Sequence, residues 1–290
     1  MEATTVKKVV IWKNGEGEGG LKFKGKMLWP AVLLLVVGSW VGNVIYFQSM
    51  QLAEPLFLKH EISIRSIQGE LIELHFLENN NADKKIINVQ VEELPQLRFA
   101  VDERSRYQYQ TLMRAAAEWM PAEAGQQIAA PLTIKEITVF YNKGQPRKVP
   151  IGEINVVESS GGGLLDFSSM GSSSTGAGSY FVKLTRSAAL EKIEYSDSLK
   201  PWFKLNLSGQ PVDSYLFPAK FSQGRILSFE YQWSYPDDEP AALVFYKPAI
   251  TLYFQTEEGG AIVERIPINN NFNLSESQVK RLVRTGGALH

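Results

Sequence analysis

The chain has 290 residues, 44% of them hydrophobic and 21% charged, with 30 basic against 31 acidic side chains. That near-neutral balance, with no basic stripe, excludes the electrostatic footprint of a nucleic-acid binder. Cysteine is absent, which excludes thiol nucleophiles, disulfide exchange and Cys-ligated zinc.

Residues 1–26 read as a tail with six Lys against three Glu, a net of +3. Within it, Val6–Trp12 is β-prone and basic. Lys7, Lys8 and Trp12 suit either an edge strand offered to a partner or contact with anionic headgroups. Gly15-Glu16-Gly17-Glu18-Gly19-Gly20 formally matches G-x-G-x-x-G. It opens no βαβ unit and carries two glutamates that repel phosphate, so it reads as a spacer.

Residues 27–47 follow as a transmembrane helix. Leu28–Phe47 holds twenty uncharged residues, which at about 1.5 Å each span a hydrocarbon core of roughly 30 Å. Trp29 and Tyr46 stand where interfacial aromatics are favoured. Pro30 is expected in the first turn, where its missing N–H costs nothing. The long upstream tail, and an apolar run that continues past Val37-Gly38-Ser39, favour an uncleaved anchor over a signal peptide. The basic tail places the N-terminus in the cytoplasm by the positive-inside rule. The remaining 24 basic and 28 acidic residues, net −4, then lie outside.

A cysteine-free ectodomain of this size fits a bacterial envelope better than an animal secretory pathway. Two extracytoplasmic domains are expected, over 48–158 and 180–290, joined by a Gly/Ser-rich linker over 159–179. Leu164, Leu165, Phe167 and Met170 are apolar exceptions inside that linker, able to dock onto a neighbour. In the first domain Ile72, Leu74 and Phe76 alternate with Glu73 and His75, the pattern of a strand with one solvated face. Similar patterns over 86–91, 132–141 and 149–157, with intervening turn residues, predict antiparallel β-sandwiches of the immunoglobulin-like kind.

Between these strands, Tyr109, Leu112, Met113, Ala116 and Met120 recur at helical spacing. The spacing predicts one inserted helix over Asp102–Met120, stopped by Pro121. In the second domain Phe229, Tyr231, Trp233 and Tyr235 alternate with polar residues and are expected to face a core, Tyr235 being the most accessible. A hairpin is predicted around 257–260. A C-terminal helix follows, with a capping box at Ser275 and Gln278, a staple between Leu274 and Val279, and Gly286 at its end. Gly69–Phe76 resembles Gly224–Tyr231, and Ile137–Tyr141 resembles Ile250–Phe254, the pattern of a duplicated domain.

No catalytic constellation emerges. His60, His75 and His290 share no metal-ligand spacing and read as surface residues. The acidic turn with Asp237 and Asp238 beside Tyr235 is the candidate ligand or partner contact. It lacks the D-x-D-x-D spacing of a calcium loop. No cofactor is expected.

Pro55–His60, Ile72–Phe76, Ile137–Tyr141 and Ile151–Ile154 resemble uncharacterised single-pass membrane proteins of Bacillus-like Gram-positive bacteria. The resemblance implies a cell-membrane protein facing the wall space and transfers no functional residue. The reading as a whole is a bitopic, non-enzymatic binding or scaffold component with protein partners in the envelope. A sensor coupling an outside ligand to the tail is the alternative, and a carbohydrate-active protein a third.

Overall fold

A computed structural model of the chain describes residues 25–67, 69–119, 131–157, 163–173, 175–236, 238–270 and 272–287. The described residues divide into two units at Gln48/Ser49. In the first, helix α1 runs over Gly25–Ser49. Trp29–Ser49 is long and apolar enough to cross a membrane. Trp29, Leu34, Leu35 and Trp40 are all exposed. Since α1 begins at Gly25, Pro30 falls in the second turn rather than the first.

The larger unit begins with strands β1 (Leu56–Phe57), β2 (Lys59–Arg65), β3 (Leu71–Asn79), β4 (Ile86–Gln90), β5 (Ala100–Arg106), β6 (Gln110–Glu118), β7 (Leu132–Tyr141) and β8 (Arg147–Val157). It continues with β9 (Leu165–Ser172), β10 (Ala177–Leu184), β11 (Ala188–Glu194), β12 (Phe203–Leu207), β13 (Gln210–Pro211), β14 (Ala219–Phe221) and β15 (Ile226–Trp233). β16 (Val244–Lys247), β17 (Ala249–Thr256), β18 (Ala261–Pro267) and helix α2 (Glu276–Thr285) complete it. The fold is mainly β, as expected.

Four sheets form, and they face each other in pairs. The order β1-β3-β6-β5 faces β16-β2-β8-β7-β4, and β13-β12-β15-β10-β9 faces β14-β11-β17-β18. All pairings are antiparallel except that β2 lies parallel to both β8 and β16. Between the first two sheets Ile72, Leu74, Phe76, Ile62, Ile154 and Val139 make one core. Between the other two, Val182, Leu205, Phe229, Tyr231, Leu252 and Ile266 make a second. Each such buried side chain contributes roughly 1.5–3 kcal/mol. The aromatic row of β15 therefore belongs to the core: Phe229, Tyr231 and Trp233 are at most 4% exposed. The matching segments occupy β3 with β15 and β7 with β17, though their sheet neighbours differ.

The expected helix over 102–120 is instead the β5–β6 hairpin; Met120 and Pro121 lie outside the described residues. Ala115, Ala117 and Met113 face the sandwich core, while Leu112 on the opposite face joins a third cluster with Leu77, Val279 and Leu282. A strand buried on both faces carries apolar residues without alternation and so imitates a helical stripe. Cross-strand ion pairs then fix the register: Arg114 meets Asp102 on β5 and Glu73 on β3. Tertiary pairing overrides the helix propensity of Ala115, Ala116 and Ala117.

The Gly/Ser-rich run, expected as a linker over 159–179, supplies β9 and the start of β10. Residues 158–162 and 174 lie outside the described set. Leu164 is fully buried in the second core. Contacts also cross the expected boundary between the halves. β16, from the second half, extends the first sandwich by pairing with β2. Its Phe245 enters the first core, whereas Val244 and Tyr246 enter the second. Helix α2 seats Val279 and Leu282 on Leu58, Leu77 and Leu112, covering the outer face of the β3–β6 sheet. Its capping box at Ser275 and Gln278, and the left-handed Gly286 at φ 60°, form as the sequence predicts.

His60 overturns its expectation as a surface residue, being 1% exposed. β1 pairs with β3, after which the chain leaves that sheet to become β2 in the facing one. Leu58 N–H still bonds His75 C=O at 3.0 Å. The next β3 donor, His75 N–H, has lost its strand partner and bonds His60 Nε2 at 2.8 Å. His60 Nδ1 lies 3.1 Å from the carbonyl of Ile151 on β8, so Nδ1 carries the proton and donates. One neutral imidazole thus joins the two sheets at the corner where the chain changes layer. Gly152, beside it at φ +91°, is obligatory: a Cβ there would sit 2.2 Å from the His60 carbonyl oxygen.

Replacing His60 by Ala strands two buried backbone groups, at about 1–3 kcal/mol each. We expect His60→Ala to destabilise the 49–290 unit by about 3–5 kcal/mol in urea unfolding. A loss below about 1 kcal/mol would show that the imidazole is not the link between the sheets.

Candidate functional site

The outer face of the β3–β6–β5 sheet carries a group of charged side chains beside a cavity. Register sets it up, because His75 stands opposite Arg114, which stands opposite Asp102. Arg114 is held by Asp102 at 2.6 Å and Glu73 at 2.8 Å. These bonds lower the Asp102 carboxyl below its usual range, the Arg114 hydrogen bond first. Between Glu103 and Ser105 the β5–β6 register slips, which makes Arg104 the extra residue of a β-bulge. Such bulges re-aim side chains.

A cleft of about 630 Å³ lies over this face, lined by Glu73, His75, Arg104, Lys247, Asn270 and Phe272 among others. Lys247 Nζ donates to the Leu71 carbonyl at 2.6 Å, tying β16 to the start of β3. Asn270 donates from Nδ2 to the Tyr235 hydroxyl at 2.7 Å. The cleft therefore offers guanidinium, ammonium and amide donors beside aromatic walls, chemistry suited to holding an anionic or hydroxyl-rich group.

His75, expected on a solvated strand face, is 5% exposed. Phe245 at 4.4 Å and Phe272 at 5.7 Å cover its ring. Burial, then the charges of Arg104 and Arg114, pull its pKa down to about 4, against the opposing Asp102. Its Nδ1 makes no hydrogen bond within the described structure. His60 is lower still, about 3, through burial and then the neighbouring His75. Both imidazoles are neutral at physiological pH, and neither stores a proton for acid catalysis there.

A second cleft, of about 660 Å³, is acidic: Glu61, Glu153, Glu194, Asp197 and Asp213 line it together with Lys200, which is ion-paired with Asp197 at 2.6 Å. Glu61 accepts a hydrogen bond from Ser198. Among the described residues no group of three His, Cys, Asp or Glu side chains is placed to hold a metal ion.

The residues singled out by sequence are scattered or undescribed. Tyr235 is half-buried between Trp233 at 5.9 Å and Tyr246 at 6.2 Å. Asp238 is exposed, and its carbonyl accepts a hydrogen bond from Arg281 of α2. Asp237, Lys7, Lys8 and Trp12 lie outside the described residues. The Arg104–Arg114–Lys247 cluster was not foreseen, because it depends on cross-strand register and on the return of β16. The alternation of Glu73 with His75 was its only local trace.

No family model matches the chain, and no curated protein matches it. Among solved structures, it is similar to a protein of unknown function from Porphyromonas gingivalis W83, at 10% identity and a TM-score of 0.23. That match covers 74% of this chain and 96% of the other. It is also similar to an I-band fragment of titin, at 11% identity and a TM-score of 0.22, covering 74% of this chain and 65% of that one.

The two buried histidines set a sign for pH dependence. Their folded pKa values lie below the ordinary 6.5, so the unfolded chain binds protons first. Stability is complete above about pH 6.5 and falls on acidification towards pH 4, by about 1.4 kcal/mol per pH unit for each histidine. Glu78 and Glu264, whose carboxyls are raised by burial, pull the other way over the lower part of this range. Urea titrations between pH 7 and 5 should show this fall, and His75→Gln should remove one histidine's share of the slope. An unchanged slope in that variant would mean His75 is protonated in the fold.

Proposed function

We propose that this chain is a bitopic membrane protein whose β-rich unit works outside the cytoplasm as a binding or scaffold component of a cell envelope. The observation that carries the reading is α1. Its apolar window is exposed along its length, and a helix apolar on all sides belongs in lipid or in a protein core. The Lys-rich tail orients it with the N-terminus inside. The donor-rich cleft and the acidic cleft supply contact surfaces of opposite charge, which suits binding of other envelope components. The resemblance to single-pass membrane proteins of Bacillus-like bacteria agrees with this address. The aromatic row of β15 is buried, so it is not the sugar-stacking platform that a carbohydrate-active reading would use.

Two measurements test the proposal. In sealed protoplasts, external protease should remove the 49–290 unit and leave residues 1–26 protected. Purification in mild detergent should bring down envelope proteins, and Arg104→Glu, at an exposed position of the cleft rim, should reduce that recovery several-fold at unchanged stability. Protection of the β-rich unit from external protease would overturn the orientation. Recovery of the same proteins by that variant would remove the cleft from the contact.

A further inference from the structure

The apolar residues in the Gly/Ser-rich run acquire a specific setting in the fold. β9 is the edge strand of its sheet, and among the described residues no strand pairs with its outer side. Phe167 is 45% exposed and Met170 64%. Asp166 is its only charge, and it contains no Lys or Pro, the residues that commonly blunt an exposed edge.

The register between β9 and β10 shows which backbone groups face outward. Thr185 N–H bonds the Leu164 carbonyl at one end, and Ser173 N–H bonds the Ala177 carbonyl at the other. Bonded and non-bonded pairs alternate along an antiparallel ladder. Asp166 is therefore turned towards β10, and Phe167 turns its N–H and C=O groups outward, whereas the outward N–H of Leu165 is taken by the Glu264 carboxylate. Phe167 pairs with Val182 and Ser169 with Phe181, so Ser168 is the bulged residue. Its hydroxyl donates to the Phe181 carbonyl at 2.8 Å. Beyond the bulge the alternation restarts, with Ser169 and Gly171 facing β10 and Met170 facing out. Phe167 and Met170 are also on one side of the sheet, since their partners Val182 and Tyr180 both point into the core.

We infer that β9 is a self-pairing edge whose occupant is β9 of a second copy of this chain. An antiparallel pair centred between Ser168 and Ser169 sets Phe167 opposite Met170 of the second copy, and Met170 opposite its Phe167. The outward N–H and C=O groups of both residues then meet outward groups. The bulges match because both copies carry one at the same distance from the axis. The four apolar side chains gather on one face, where sulfur–aromatic contact is favourable. Asp166 falls opposite Gly171, so the two carboxylates never meet. A two-fold contact must satisfy itself in this way, residue i against j and j against i. A partner strand unrelated to β9 would have no reason to match its bulge.

The absence of native cysteine makes the test direct. Reconstituted in lipid vesicles, the full chain should be a dimer by chemical cross-linking. In membranes, Ser169→Cys, next to the axis, should form a disulfide-linked dimer on mild oxidation, and Ser222→Cys in the loop after β14 should not. Met170→Pro deletes an outward N–H that makes no bond to β10. It should weaken dimerisation at least tenfold with an unchanged melting temperature. Should that variant melt early, Met170→Lys, which sets a charge against Phe167, should produce the same loss. A monomeric chain would overturn the inference. So would a dimer that survives both substitutions and leaves Ser169→Cys unlinked, since it would be held elsewhere, for instance through α1. None of these outcomes depends on which envelope component the clefts bind.

Discussion

The larger unit depends on one histidine that substitutes for a strand. A sandwich needs its chain to pass from one sheet to the other, and each passage leaves backbone donors and acceptors without their ladder partners. Here the change of layer occurs within three residues, between Phe57 in β1 and Lys59 in β2. No loop long enough to carry water or side-chain caps intervenes. His60 takes both vacancies with one ring, accepting from β3 and donating to β8. Protonating Nε2 would aim a proton at the His75 N–H, so the geometry resists the charged form independently of burial. Gly152 yields the space this requires. The same few atoms therefore set the position of β2, the parallel pairing on either side of it and the neutrality of the ring.

Parallel pairing at β2 has a further consequence. Parallel neighbours need a crossover connection rather than a hairpin, and β16 arrives beside β2 only after the whole of the second sandwich's first sheet has been laid down. The strand is then shared. Phe245 belongs to the first core and packs at its edge on His75, while Tyr246 stacks on Trp233 in the second. Lys247 and α2 add two more ties to the first sandwich. Two sandwiches joined by a flexible tether would move independently. Two that share a strand and a helix hold their intervening surfaces, the donor-rich cleft among them, in fixed geometry.

Much of this architecture was legible in the chain, and the illegible parts share a cause. Period-two alternation marked β3, β15 and the β17–β18 hairpin, because each has one face in a core and one elsewhere. The caps of α2 were readable because a capping box is local chemistry at fixed spacing. The β5–β6 hairpin was misread as a helix because its outer face is covered by α2, a segment about 160 residues away in sequence. His75 was misread as solvated for the same reason, since the cover over it comes from Phe245 and Phe272. The anion-suited cleft fails to announce itself because Arg104 is re-aimed by a bulge and Lys247 returns on β16. Local pattern reports what a strand does with its own two faces. It does not report what a distant segment lays on top of them.

The Gly/Ser-rich run belongs with these cases, and it bears on the proposed anchor as well. Low complexity suggested a tether, yet the segment earns order by pairing with β10, using backbone bonds that require little from side chains. A strand that is held mainly through its backbone has side chains to spare for its other edge. An edge contact of a few ladder bonds and four apolar side chains is weak between freely diffusing molecules, because association must first offset the loss of translational freedom. Confinement to a shared membrane removes much of that loss by raising the effective concentration of like chains. An anchored chain can therefore use an edge that would leave a freely diffusing one monomeric. The proposed self-pairing of β9 and the proposed anchoring through α1 are in this sense parts of one physical arrangement.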